Sequence, residues 1–326
     1  MKKILGSKIK YLILALFVIL AVAGLVINFM VEINYDLTKY LPEDSNTKQA
    51  LEILGEEFGN YAAVELMVKD VEKQDAIEIK NALKEVEYIN SVIWLDDLET
   101  YATLITDPTI LAQLQVVLEG FYKDNNALFQ IVMEYDAYDL LTEEAIDNIK
   151  NLSILKDREF HLRGEALYNI DTRRIADGEV FKILVVIVPI IIVILLLAAK
   201  SWIEPVLILI NLAVAIAINL GTNFILGEIS FITQTMAMAL QLAISLDYSL
   251  FLIHRYYEEK QNGNGAVEAT AKALKTTFGS ILGSAMTTVV GFAALLFMNY
   301  TIGADIGLVM GKGILLSFFT SIVLLP

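Results

Sequence analysis

The chain has 326 residues, 56% of them hydrophobic, with a net charge of −15, two histidines and no cysteine. The missing cysteines exclude disulfides, thiolate catalysis and Cys-based metal or iron–sulfur sites, and two histidines cannot build a His-rich metal site. The acidity is local. Residues 31–178 carry 31 acidic and 13 basic side chains, an excess that repels phosphate backbones and argues against a nucleic-acid partner.

The N-terminus carries Lys2, Lys3, Lys8 and Lys10 ahead of an apolar run over 11–31. Ala21-Val22-Ala23 resembles a signal-peptide cleavage site. Continuation of the run to Met30 gives about 20 residues, enough to cross a bilayer, and favours an uncleaved first span with cytoplasmic lysines. Residues 1–31 therefore form the first transmembrane helix and residues 32–178 an extracytoplasmic domain.

In that domain, 45–58 reads as a helix with Ala50, Leu51, Leu54 and Phe58 at helical spacing. Residues 61–68 alternate like a strand, with Val64, Leu66 and Val68 on one face. A helix is predicted over 72–86, with Ile77, Ile79, Leu83 and Val86 inward, and a strand over 91–95. A helical insert over 108–139, a helix over 142–155 and a strand over 159–163 follow. Alternating strands and helices imply βαβ units with helices on one face of a sheet.

Residues 179–326 hold five further apolar stretches, at about 180–199, 202–221, 231–253, 279–298 and 304–325, each long enough to span. The loop 254–277 is expected inside, because it carries Arg255, Lys260, Lys272 and Lys275. The predicted class is thus a multi-pass cell-membrane protein of six transmembrane helices with an inserted α+β domain.

The fourth stretch contains Asp247, whose carboxylate near mid-membrane costs roughly 2.5–3.5 kcal/mol on insertion scales. Gln234, Gln241, Ser245 and Tyr248 fall within about 60° on the helix, with Asp247 about 100° from Tyr248. Asp247 and Tyr248 diverge, so each needs a partner on another helix. Hydrocarbon favours the neutral acid and a donated hydroxyl favours the carboxylate. Balanced against each other, they fit a proton carrier. The bland alternative is an interhelical hydrogen bond that fastens the bundle. Lys312 either pairs with Asp247 or snorkels to an interface. Asp305 and Glu228 read as interfacial, and His254 as a possible relay. Gly279, Gly283, Thr287 and Gly291, and then Gly303, Gly307 and Gly311, recur every four residues. Such strips allow tight helix packing or sliding. No nucleophile–base pair, metal cluster or phosphate loop is evident, so neither an enzyme nor a bound cofactor is predicted.

Several segments together resemble a known family. They are Tyr35-Asp36-Leu37-Thr38-Lys39-Tyr40-Leu41-Pro42, Gly164-Glu165-Ala166, Leu246-Asp247-Tyr248-Ser249-Leu250-Phe251-Leu252 with Arg255-Tyr256-Tyr257-Glu258-Glu259, and Gly303-Ala304-Asp305-Ile306-Gly307 through Lys312-Gly313 to Leu324-Leu325-Pro326. The chain resembles the N-terminal half of a resistance–nodulation–division (RND) transporter of the MMPL branch. That resemblance implies a porter domain of ferredoxin-like subdomains, and Asp-Tyr pairs on spans four and ten, each Asp facing the other half's Tyr. It also implies a sterol-sensing-like membrane domain and lipidic or amphiphilic cargo. Only one copy of the six-span pattern is present. The expectation is a fragment of a twelve-span protein, favoured by Pro326 closing a span, or assembly with another copy. The leading reading is a proton-coupled exporter with Asp247 as carrier and Tyr248 as its partner. The alternative is a membrane-bound lipid sensor or scaffold.

Overall fold

The computed structural model describes residues 8–102 and 107–326; Lys2 and Lys3 of the predicted basic N-terminus lie outside them. In chain order the elements are α1 (Ile9–Asn28), β1 (Glu32–Asn34), α2 (Asn46–Phe58), β2 (Ala63–Val68), α3 (Lys73–Lys84), β3 (Ile89–Ile93), α4 (Leu95–Ala102) and α5 (Pro108–Phe121). They continue with β4 (Tyr122–Lys123), β5 (Asn126–Met133), α6 (Leu140–Lys150), β6 (Phe160–Gly164), α7 (Glu165–Ala198) and α8 (Ile203–Thr222). The chain closes with β7 (Glu228–Ser230), α9 (Phe231–Gln261), α10 (Ala266–Ala293) and α11 (Ile302–Val323). Two compact units result, one of residues 49–175 and one of 1–48 with 176–326. The segment 32–48, expected with the inserted domain, groups instead with the helices.

In the 49–175 unit, four strands run in the order β3-β5-β2-β6, every neighbouring pair antiparallel. Each βαβ unit is therefore split, with a strand of the other unit lying between its own two. Val64, Leu66 and Val68 of β2 join Ala127, Phe129, Ile131 and Met133 of β5 in a core closed by Ile79 and Leu83 of α3 and Ala145, Ile146 and Ile149 of α6. One face of the sheet is thus covered by helices, because period-2 and period-3.6 apolar stripes meet there. The helical insert expected over 108–139 is corrected. The helix ends at Phe121, and 122–133 forms a hairpin whose β5 is a central strand. Asp124 and Asn125 adopt φ 51° and 58°, the left-handed pair that a two-residue hairpin turn requires. The expected apolar stripe of α2 stays exposed at Leu51, Leu54 and Phe58.

Among the described residues, six helices are long and apolar enough to cross a membrane. Three carry the interior: the apolar windows of α8, α9 and α11 are 61%, 50% and 61% buried, against 6%, 12% and 11% for α1, α7 and α10. The expected loop 254–277 is also corrected. Helix α9 runs on to Gln261 and α10 begins at Ala266, leaving a short turn. Arg255 bridges Glu258 (2.6 Å) and Glu259 (2.8 Å) one turn on, and spacings of three and four residues support continued helix. At the other end of the bundle, β1 pairs in parallel with β7, and Tyr35 stacks on Phe231 at 5.5 Å.

Candidate functional site

Helix α9 presents two chemically different faces. Gln241, Ser245, Tyr248 and Ser249 are buried toward neighbouring helices, while Asp247 is exposed on the opposite side. Asp247 lies two positions from both Ser245 and Ser249, and about 200° of helical rotation sets them on opposed faces. Among the described residues Asp247 makes no hydrogen bond or ion pair. Met236 and Phe251, also exposed, share its face, and half-buried His254 lies two turns further along.

Tyr248 turns inward, 1% exposed, among Ile281 and Ala285 of α10 and Ile314 and Phe318 of α11. Its hydroxyl is buried beside the Ser284 and Thr288 side chains of α10. The two adjacent residues thus point apart, as their spacing predicts, Tyr248 toward Ser284 and Thr288 and Asp247 toward a face with no partner among the described residues.

The buried face of α9 builds a polar ladder with α8 and α11. The Asn219 side-chain amide donates to Gln241 Oε1 (2.9 Å), and Gln241 Nε2 donates to the Gly313 carbonyl and to Ser317 Oγ, both at 3.1 Å. About two turns along, Asn211 Nδ2 donates to Ser249 and Ser321 (3.1 Å each). A Cβ at residue 313 would reach 2.7 Å from Asn219 Nδ2, so glycine there admits the amide. The ladder supports the fastening role for Gln241. The Ser245 hydroxyl is buried beside the ladder with no partner. Asn211, Asn219, Ser317 and Ser321 were not singled out from the sequence. Their signal was available as asparagines inside an otherwise apolar span and serines four residues apart.

Lys312 does not pair with Asp247. Its Nζ donates to the Asn219 carbonyl (3.0 Å), Thr222 Oγ1 (2.8 Å) and Asn223 Oδ1 (2.6 Å). The C-terminal end of α8, with its unpaired carbonyls and negative dipole end, is a natural seat for a cation. Asp305 is more than interfacial. Its Oδ2 accepts from the Ser230 amide (2.8 Å) and Thr233 Oγ1 (2.6 Å), capping α9. Tyr40 lies nearby, and its burial, with the Asp305 and Glu228 carboxylates close, raises its hydroxyl well above the usual tyrosine range.

The glycine strips divide. On α11, Gly303 and Gly307 face the Leu295 and Phe292 carbonyls closely, whereas Gly311 has open space. On α10, Cβ atoms at Gly279, Gly283 and Gly291 would meet nothing within 4 Å, so the expected tight packing is not made among the described residues. The close approach instead occurs where α1 crosses α8: a Cβ on Gly24 or Gly221 would collide with the facing backbone.

A family model described as "MMPL family" matches residues 39–326. Membrane protein YdgH of Bacillus subtilis is 26% identical over 285 residues, 85% of this chain and 31% of that protein. The apo-petrobactin exporter of Bacillus anthracis is 27% identical over 80% of this chain and 37% of its own length. The sulfolipid-1 exporter MmpL8 of Mycobacterium tuberculosis is 28% identical over 37% of this chain and 11% of its own length. A crystal structure of SecDF in a super-membrane-facing form aligns over 97% of this chain and 37% of its own, at 14% identity and a TM-score of 0.48. The chain spans about a third of the length of the two relatives that it matches over most of its own length.

Proposed function

This chain belongs to the MMPL family, and from that membership we propose that it is one six-helix half of a proton-coupled exporter of lipidic or amphiphilic molecules in the cell membrane. The observation that carries the reading is Asp247, a carboxylate inside a membrane span, turned to a face where no described residue partners it. Such a group is too costly in lipid to persist without a role. Two relatives named as exporters, of apo-petrobactin and of sulfolipid-1, support the direction, and the second name supports a lipidic cargo.

In the proposed cycle, Asp247 gives up its proton while it faces the second half, whose tyrosine donates a hydrogen bond that favours the charged state, and takes one up when that contact is lost. Loss of that contact favours the neutral acid, and so the proton is held or released with the conformation. Tyr248 plays the reciprocal part toward the partner's carboxylate, leaving its seat near Ser284 to do so. The membrane potential contributes about 2.3 kcal/mol per proton per 100 mV. Lys8, Lys10, Arg255, Lys260, Lys272 and Lys275 mark the cytoplasmic side. The 49–175 unit, whose strand order is that of a ferredoxin-like fold, is the extracytoplasmic porter domain. The partner is a second six-helix half, either a C-terminal repeat or another copy of the chain.

Asp247→Asn in the full protein tests this. Gradient-driven export is expected to fall at least 100-fold while membrane insertion and the Trp94 signal of the 49–175 unit stay unchanged. Export that survives the substitution removes the proton-carrier role and leaves the sensor or scaffold reading.

A further inference from the structure

The sheet of the 49–175 unit ends in two edges of opposite character. At one end β6 pairs only with β2 and carries exposed His161 and Arg163. Polar and charged side chains of that kind keep an edge strand from accepting another chain. At the other end β3 pairs only with β5, and its sequence, Ile89-Asn90-Ser91-Val92-Ile93, has neither charge nor proline. Among the described residues, none of these five makes a hydrogen bond outside the ladder with β5. The ladder's one irregularity lies between Ile89 and Ser91, so Ser91, Val92 and Ile93 keep a regular edge.

A groove of about 580 Å³ runs along this strand, lined by all five of its residues with Lys84, Asp97 and Leu98. An open edge beside such a groove offers what strand addition uses, main-chain groups for pairing and room for alternate side chains. The surroundings of the groove set the charge of its occupant. Over residues 84–99 the chain has five acidic side chains and one lysine. Lys80 bridges Asp96 and Asp97, and Lys73 bridges Glu99. Glu85 and Glu87, just before β3, are exposed and make no ion pair among the described residues. A second copy of this acidic unit would be repelled, whereas a basic chain would be drawn in.

We propose that the free edge of β3 takes an extended peptide, a short neutral stretch with lysine or arginine on both sides, as an added strand. Main-chain pairing supplies the affinity, and Glu85 and Glu87 supply the choice of partner. This surface stands apart from Asp247 and does not depend on the export reading.

The full protein in detergent is titrated with a fluorescein-labelled peptide, Lys-Arg-Thr-Val-Thr-Val-Thr-Arg-Lys, reading anisotropy, and backbone hydrogen exchange is followed with the peptide bound. Saturable binding is expected, with exchange within 89–93 slowed at least tenfold and exchange within 160–164 unchanged. The same peptide N-methylated at every threonine and valine, which cannot donate to a strand, should not bind. A peptide with glutamate and aspartate flanks should bind at least tenfold more weakly, and Glu85→Lys with Glu87→Lys, both at exposed positions, should abolish that preference. No saturable binding, binding by the N-methylated peptide, protection that spares 89–93 or is matched at 160–164, or a preference that survives the charge swap overturns the proposal.

Discussion

At the residue scale, a buried charge survives only where neighbours replace the water it lost. Lys312 does so with three oxygens from the end of α8. In the 49–175 unit Lys80, 2% exposed, does so with Asp96 and Asp97, each at 2.6 Å. Burial alone would raise the Asp97 carboxyl. The hydrogen bonds from Lys80 and the Trp94 amide (3.0 Å) outweigh it and hold the group below the usual aspartate value. A carboxyl depressed in the folded state adds stability above its unfolded pKa and loses it as pH falls through the folded one. Unfolding followed by Trp94 emission should therefore show this unit weakening below about pH 4. Asp97→Asn should be less stable at pH 7, by roughly 1–3 kcal/mol, and should show a flatter acid limb.

At the element scale, helix crossings in lipid depend on small residues, because hydrocarbon tails solvate apolar side chains as well as another helix does. The regular four-residue strip on α10 looks like the packing seam in the sequence, yet its glycines face open space. The isolated Gly24 and Gly221 make the contact between α1 and α8. Gly221→Val should therefore lower thermal stability in detergent by about 1–3 kcal/mol, the range for overpacked contacts, whereas Gly291→Val in this chain alone should be close to neutral. Equal effects would mean that α1 does not cross α8 here. The missed β5 belongs at this scale too. Its alternation was visible at Ala127, Phe129, Ile131 and Met133, but the apolar stretch before it reads as helix, and only the Asp124-Asn125 turn marks the change.

At the scale of the whole molecule, one face of α9 stays uncovered by the described residues. Met236, Ala243, Asp247 and Phe251 leave one face of α9 exposed, within a chain a third the length of YdgH or the apo-petrobactin exporter. This chain has no natural cysteine, so Ala243→Cys should react with a membrane-permeant maleimide in this chain alone and be protected when the second half is present. Ser249→Cys, on the buried face, should be slow in both. Reactivity at residue 243 that ignores the second half would remove that face as the joining surface.

Span number, the strand-and-helix alternation of the inserted unit and the anomaly at Asp247 are written in local composition, because hydropathy and periodicity act over one element at a time. Residue spacing alone also determines that Asp247 and Tyr248 diverge. Which helices form the interior, and that Lys312 serves the end of α8 rather than Asp247, depend on residues tens of positions apart meeting in space. No short window of sequence carries that information. Hydrogen bonds and close backbone approach are chosen by the packing of whole helices, and only the tertiary structure decides them.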